Sequence, residues 1–563
     1  MKKLIIWLFC ILYFPCFAAA PQPASGANAM VVSAHPLATQ VGLNILKRGG
    51  NAIDAAVAMG YTLAVVDPCC GNIGGGGFML LHLANGKNYF LNFREKAPLN
   101  INVKDYFKDG KPDVKKIRSG YLAVGVPGTV MGLNTALERF GTLSLQQVIA
   151  PAIQLAQQGF VIQPKDIKVY DKFLPKLRQS ANVAKIFYPN SKALAVGDKF
   201  KQPRLAQTLT LIAKDGSKAF YQGPIAKAIV QASARNGGAL SLKDFTDYTV
   251  EIGKPLICSY QNNTIITSPP PSSGGVTLCE MLNVLSAYPL KSLGFHSAAS
   301  THYIVEAMRY AYADRNRYLG DPDFINNPIE KLLSKQHAQM IRNAIKPFKA
   351  GNSKNMGLQQ TAEPLETTSY AVVDSKGNAV SVTYTLNGAF GAKVIAGNTG
   401  FFLNNEMDDF TLQPGTANMF GLVQGQANRI QPGKRPLSSM TPTIVLKDNQ
   451  VYLVLGAAGG STIITQILQI LLNVIDYNMN ISTAIAAPRF HMQWLPDIVF
   501  MEPLAFSPDT QKLLRKMGYK LQTGFLFYGN YWGFSAGIQR DFQNKNYLGA
   551  ADIRYGNGNA KGF

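Results

Sequence analysis

Three polar side chains, Thr367, Thr385 and Asn387, stand at spacings that a hairpin would bring together. Thr367 to Asp374 reads as one strand, Ser375-Lys376-Gly377 as a turn and Asn378 to Asn387 as a second strand. With a three-residue loop Asp374 faces Asn378, and counting back sets Thr367 opposite Thr385. Side chains alternate along a strand, so Thr383, Thr385 and Asn387 share one face while Val380, Val382, Tyr384 and Leu386 take the other. A hydroxyl among polar neighbours is the raw material of a nucleophile, although β-favouring threonines in an ordinary strand would look the same. Position adds to chemistry at Thr367. Lys349 to Glu366 is polar and glycine-bearing with little to bury, which predicts an exposed, mobile segment that stops at the first residue of a buried strand. Such a junction is a natural place for a processed terminus.

The elements around this hairpin follow from pattern. Ala38 to Arg48 has helical periodicity and ends at Gly49-Gly50; Asn51, with Asp54 three residues on, caps a second, Ala- and Val-rich helix over Ile53 to Val66 that is expected to be buried. After Gly71-Asn72-Ile73-Gly74-Gly75-Gly76-Gly77, the runs Phe78 to Leu83 and Tyr89 to Phe93 flank an Asn85-Gly86 turn, and this hairpin delivers Arg94 at its end. Gly128 to Lys346 reads mostly as helices and loops, with a long helix through Tyr303 to Tyr318. Val451 to Ile475 is uncharged enough to suggest a membrane span, but Gly456, Gly459, Gly460, Ser461 and Thr462 divide it into a strand, a turn and a helix carrying Gln466 and Gln469. No Gly-Lys-Ser/Thr follows the Gly74–Gly77 run, which argues against a nucleotide loop.

Several short motifs, in order, carry a resemblance. Gly71 to Met79, Phe93-Arg94-Glu95-Lys96-Ala97-Pro98 and Gly125-Val126-Pro127-Gly128 come first. Thr367-Thr368, Thr383-Tyr384-Thr385-Leu386-Asn387, Asn404-Asn405-Glu406-Met407-Asp408-Asp409-Phe410, Lys434 to Met440 and Gly459-Gly460-Ser461 follow. Together they resemble the γ-glutamyltransferase (γ-glutamyltranspeptidase) family over essentially the whole chain beyond the leader. The resemblance implies an α/β (α+β) fold of the N-terminal-nucleophile hydrolase type, a four-layer αββα sandwich. It implies a precursor that cuts itself between Glu366 and Thr367 into a large subunit, 21–366, and a small one, 367–563, sharing one core.

That cut would make Thr367 both nucleophile and base, because its freed α-amine, with a pKa of roughly 7.7–8.0, can take the hydroxyl proton near neutral pH. The resemblance implies attack on the γ-carbonyl of glutathione or another γ-glutamyl amide, and transfer of the γ-glutamyl group from a threonine ester to water or an amine. Thr385 would hydrogen-bond the nucleophile. Backbone N–H groups of Gly459 and Gly460 would hold the oxyanion. Arg94, Ser438 and Ser439 would bind the substrate α-carboxylate, and Asn387, Glu406 and Asp409 its ammonium. Residues 414–425 correspond to a mobile lid, where Phe420 replaces a tyrosine common in bacterial members. Ser369 replaces a frequent histidine, and Gly388-Ala389 a frequent Thr-Thr pair. No cofactor or metal is called for. A glutaryl-type β-lactam acylase of the same fold and an inactive γ-glutamyl-peptide binding protein are the rival readings; a glutaryl diacid lacks the ammonium that an acidic pocket would hold.

Composition fits an exported globular enzyme. Lys2 and Lys3, the apolar run Leu4 to Phe17 and Ala18-Ala19-Ala20 read as a signal peptide over 1–20, and the destination expected is the periplasm or medium. The formal net charge is +22, of which Lys2 and Lys3 supply two units. No dense basic block accompanies it, so nucleic acid is not an expected partner, and small γ-glutamyl compounds, amino-acid acceptors and the two subunits of one precursor are. Beyond the leader, Cys69, Cys70, Cys258 and Cys279 allow three connectivities with no spacing that selects one.

Overall fold

The structure, a computed structural model, describes residues 22–178, 180–353, 367–525, 529–554 and 558–563. The expected leader and the Glu366 side of the expected cut lie outside them.

Fourteen strands build two sheets: β1 (Ala24–Gly26), β2 (Met30–Ser33), β3 (Gly76–His82), β4 (Asn88–Phe93), β5 (Glu251–Gly253), β6 (Leu256–Tyr260), β7 (Asn263–Thr267), β8 (Thr367–Val373), β9 (Ala379–Thr385), β10 (Thr443–Lys447), β11 (Gln450–Ala458), β12 (Phe534–Asp541), β13 (Asn546–Ala551) and β14 (Asn559–Gly562). One sheet has the order β14-β2-β8-β9-β3-β4-β5 and the other β1-β13-β12-β11-β10-β7-β6. The helices that cover them are α1 (Pro36–Lys47), α2 (Ala52–Val66), α3 (Thr129–Phe140), α4 (Gly274–Leu285), α5 (Ala298–Tyr318), α6 (Lys335–Ala344), α7 (Thr462–Ile475) and α8 (Ile481–Ala486). Helices α1, α2 and α3 lie on the first sheet, and α4, α7 and α8 on the second, with α5 and α6 packed against α4. The four-layer αββα sandwich is therefore present.

Alternation along β8 and β9 sets the layers. Tyr370, Val372, Val380, Val382 and Tyr384 join the apolar cluster that contains α2. Ala371, Val373 and Ala379 join the cluster between the sheets, with Leu453, Leu455 and Ala457 of β11. Every residue of α2 is buried, so this strand pair is wedged between a helix and a second sheet. At about 1.5–3 kcal/mol for each large apolar side chain buried, packing of this extent fixes the register of β8 far more firmly than strand propensity does. The register pairs Thr367 with Thr385, and the turn closes with Asp374 N–H donating to Asn378 O at 3.1 Å.

Local expectations hold with small shifts. The first helix starts at Pro36, earlier than its periodicity suggests, because the His35 ring accepts the Leu37 N–H. Asn51 and Asp54 form the capping box on α2, and Val451–Ile475 is divided between β11 and α7. Among the described residues no helix is long and apolar enough to cross a membrane. The expectation of an exposed segment from Lys349 is corrected at its start. Ala350 N–H donates to Met517 O, Gly351 N–H to Glu306, and Ser353 is buried against Arg309 and Asp497; residues 354–366 lie outside the described set. The cysteines, unassigned from sequence, pair as Cys69–Cys70 and Cys258–Cys279.

Candidate active site

Thr367 opens β8 in the inter-sheet layer, and its Oγ1 lies 3.0 Å from Thr385 Oγ1. Thr385 Oγ1 also accepts the Asn387 N–H at 2.8 Å. The chain turns sharply there, with Asn387 at φ +75°, in the left-handed region that asparagine tolerates better than most residues. Asn387 Nδ2 donates to Asn405 O, while its buried Oδ1 has no partner among the described residues.

The Gly74–Gly77 run serves close packing against this corner. A Cβ at Gly75 would stand 1.8 Å from Thr385 O, one at Gly74 2.0 Å from Phe402 O, and one at Gly76 2.7 Å from Glu95 Oε2. Bare α-carbons let β3 and its leading loop press on the hairpin end and on the segment carrying Glu406. Asn404 completes the seam, donating from Nδ2 to Gly74 O and Gly125 O and accepting the Gly125 N–H.

Arg94 leaves β4 fully buried. Its Nη1 donates to Glu406 Oε1, its Nη2 to Asp409 Oδ2 at 2.5 Å, and its Nε to Pro436 O at 3.2 Å. The expected carboxylate clamp is thus already paired with two of the expected ammonium ligands. Of the five N–H bonds of a guanidinium, two remain for a ligand. Glu95 stands behind, 3.5 Å from Arg94 Nη1 and hydrogen-bonded to Glu406, and among the described residues no N–H or hydroxyl donor meets the Glu95 oxygens or Glu406 Oε2. Burial is the largest cause of the shifts here. It pushes Glu95 up to about 7 against the pull of Arg94, and raises Glu406 and Asp409 as well.

Ser438 and Ser439 face the same space. Ser438 Oγ accepts the Met440 N–H and Ser439 Oγ accepts Arg315 Nη2 at 3.1 Å, so each hydroxyl keeps its proton to donate. Gly459 (φ +131°) and Gly460 (φ +57°) link β11 to α7, and among the described residues neither N–H finds an acceptor. One small cavity is lined by Arg94, Thr367, Thr385, Asn387, Glu406, Asp409, Ser438, Ser439, Gly460 and Phe420. Gly459 lines, with Thr367 and Thr368, a second cavity. All ten residues singled out from sequence therefore converge on Thr367 or on the cavity beside it.

Residues 414–425 form a strap over this cavity, packed rather than open here: Ala417, Met419, Phe420, Leu422 and Val423 are buried. Asp408 holds the strap through the Met419 N–H and itself pairs with Arg118. The Phe420 carbonyl accepts Gln493 Nε2 at 3.1 Å, so a backbone latch stands where a tyrosine hydroxyl is absent. Ser369 Oγ donates to Val382 O and touches Gly456, where a Cβ would stand 2.0 Å away; no room exists there for an imidazole. Pattern did not reveal Arg315. It is wholly buried and reaches Ser273, Asn316, Gln424 and Ser439, and burial brings it down to about 10. Nothing in a helical run signals which arginine turns inward. Glu95 was visible within the Arg94 motif but carried no assignable role.

Comparison with known proteins agrees with this geometry. The sequence profile described as Gamma-glutamyltranspeptidase matches residues 38–562. A glutathione hydrolase proenzyme of Pseudomonas sp. (strain A14) is 50% identical over 524 residues, covering 92% of this chain and 91% of its own. That of Escherichia coli (strain K12) is 46% identical over 507 residues, covering 89% and 87%. Among solved structures, a cephalosporin acylase from Bacillus halodurans superimposes with a TM-score of 0.84 at 26% identity, covering 99% of each chain.

Proposed function

The chain belongs to the γ-glutamyltranspeptidase family, and from that premise we propose that Thr367, freed at its amine by a cut after Glu366, is the nucleophile of γ-glutamyl transfer. The protein is an enzyme that cleaves γ-glutamyl amides, glutathione among them, and passes the γ-glutamyl group to water or to an amine.

In the proposed sequence the Thr367 amine takes the proton of Oγ1, which attacks the γ-carbonyl while Thr385 orients the hydroxyl from 3.0 Å. Negative charge on the carbonyl oxygen meets the Gly459 and Gly460 N–H groups. A donor of that kind is typically worth about 10²–10³ in turnover. The amine proton then passes to the leaving nitrogen, leaving a γ-glutamyl ester on Thr367, and the neutral amine activates water or an acceptor amine to release it. Ser438, Ser439 and the two remaining N–H bonds of Arg94 take the α-carboxylate.

One observation carries the choice of substrate head. Among the described residues no N–H or hydroxyl group donates to Asn387 Oδ1, Glu406 Oε2 or either Glu95 oxygen, and the raised acids Glu95 and Glu406 only share a hydrogen bond with each other. Unmet acceptors in a dry site are costly, at about 1–3 kcal/mol each, and a ligand ammonium is the donor that would meet those bordering the cavity. A glutaryl diacid brings no such donor, so the acylase reading is the weaker one. The same proposal includes export, cleavage of residues 1–20, and a two-piece protomer of 21–366 and 367–563.

The test is a denaturing gel of purified wild type beside Thr367→Ala, with chromophore release from a γ-glutamyl anilide. Two bands and activity are expected of the wild type, one uncut band and no activity of the variant. A single band in wild type, or an active variant, would sink the reading.

A further inference from the structure

Away from the cavity, three helices bring together an unassigned group of side chains: Glu280 on α4, Asp314 on α5 and His337 in the first turn of α6. His337 Nε2 lies 2.8 Å from Asp314 Oδ2 and 3.3 Å from Glu280 Oε1. Glu280 is buried, His337 nearly so, and the Asp314 side chain keeps 20% of its surface, which leaves a path from solvent.

We propose that Glu280, Asp314 and His337 form a site for one divalent cation of the zinc class. A neutral imidazole nitrogen and two carboxylates suit such an ion, and three protein ligands leave a fourth position for water. Metal–ligand bonds of about 2.0–2.1 Å set at tetrahedral or right angles place neighbouring ligand atoms roughly 3.0–3.4 Å apart. The observed spacings of 2.8 and 3.3 Å need only slight adjustment, and all three ligand atoms lie within 4.8 Å of one another. Nε2 carries at most one proton, so it can serve only one of the two carboxylates pointed at it. Burial raises Glu280 to about 8, so its carboxyl keeps a proton that it shares with Asp314, and a divalent ion would take the place of that proton and of the one on Nε2.

The site would tie together the helices behind Ser438 and Ser439. Ser273, the N-cap of α4, donates from its backbone N–H and its Oγ to Ser438 O, and Arg315, next to Asp314 but turned inward, donates to Ser439 Oγ. A cation on the outer face would pin α4, α5 and α6 in register without touching the cavity.

Wild-type protein stripped by chelator and dialysed against Zn²⁺ should retain one ion per chain by elemental analysis, and the ion should raise its melting temperature. Glu280→Gln and His337→Asn should each bind Zn²⁺ at least about tenfold more weakly. Co²⁺ should give the visible d–d absorption of a low-coordinate site with one imidazole ligand, and His337→Asn should remove it. The proposal is overturned if wild type holds no more Zn²⁺ than Glu280→Gln, or if the Co²⁺ spectrum is the same in wild type and His337→Asn. Both readouts on wild type stand even where a variant folds poorly, since a wild type that takes up no ion is enough to reject the site.

Discussion

Two buried clusters of arginine and acid differ in one respect. Around Arg489 and Arg554, two guanidinium groups meet two carboxylates: Arg489 bonds Asp552 at 2.5 Å, and Arg554 bonds Glu502 at 2.6 Å and Asp552 at 3.1 Å. Every carboxylate oxygen there has a donor. Around Arg94, three carboxylates crowd one guanidinium, and Arg315, the other cation nearby, bonds Ser439, Ser273, Asn316 and Gln424 rather than an acid. Among the described residues three acid oxygens and one amide oxygen there meet no N–H or hydroxyl donor, and Glu95 and Glu406 bond only each other. The shifts take opposite signs. Burial works against ionisation in both places, yet Arg489 and Arg554 hold Asp552 below its ordinary value, whereas Glu95, Glu406 and Asp409 all rise. A balanced cluster is a fastening; an acid-rich one is where the proposed function places the substrate ammonium.

The largest effect should come from unbalancing the fastening. Asp552→Asn leaves Arg489 and Arg554 sharing one acid, and breaking a buried pair this way costs about 3–5 kcal/mol. Urea denaturation should register that loss. In the acid-rich cluster, Asp409→Asn removes surplus negative charge, so stability should change by less than about 1 kcal/mol, while KM for γ-glutamyl anilide rises. A hydrogen bond to a charged group is worth about 1.5–3 kcal/mol, which corresponds to roughly 10–150-fold. A large stability loss with unchanged KM would erase the distinction between the clusters.

pH sharpens the comparison. Glu95 is raised in the folded chain, so its contribution is present below its unfolded value and lost as pH climbs through about 7. Asp552 is lowered, so its contribution is present above its unfolded value and lost as pH falls towards its folded one. Melting temperatures across pH 5–8 should therefore carry a downward component with rising pH that Glu95→Gln removes. KM should fall over the same range as Glu95 ionises and strengthens the hold on the ammonium, and Glu95→Gln should flatten that dependence too. The smallest effect is expected at the strap. Gln493→Ala removes the bond to Phe420 O, worth about 0.5–1.5 kcal/mol, together with the bonds to Leu495 O, Ser461 and His491, so KM should rise by no more than about tenfold while the melting temperature also falls.

Features that depend on near neighbours were legible in the residues. The pairing of Thr367 with Thr385 came from counting back from a three-residue turn, the Asn51–Asp54 cap from a three-residue spacing, and the β11–α7 break from glycines inside an apolar run. The family's motifs drew attention to the ten residues that gather at this site. What lay beyond reach was partnership at long range. Nothing local says that Arg94 pairs with Glu406 and Asp409, 312 and 315 residues away, or that Arg315 rather than Arg317 turns towards Ser439.

The amino-acid order by itself determined the strand register, the caps and the turns, because those are decided by backbone geometry and side-chain alternation over a few residues. It also held the Gly74–Gly77 run, without saying why it was needed. Only the tertiary structure decided that those glycines admit the Thr385 and Phe402 carbonyls at distances no Cβ would permit, and that the acids around Arg94 outnumber it. Charge balance and close approach are properties of what surrounds a residue, and those surroundings exist only once the two sheets have closed on each other.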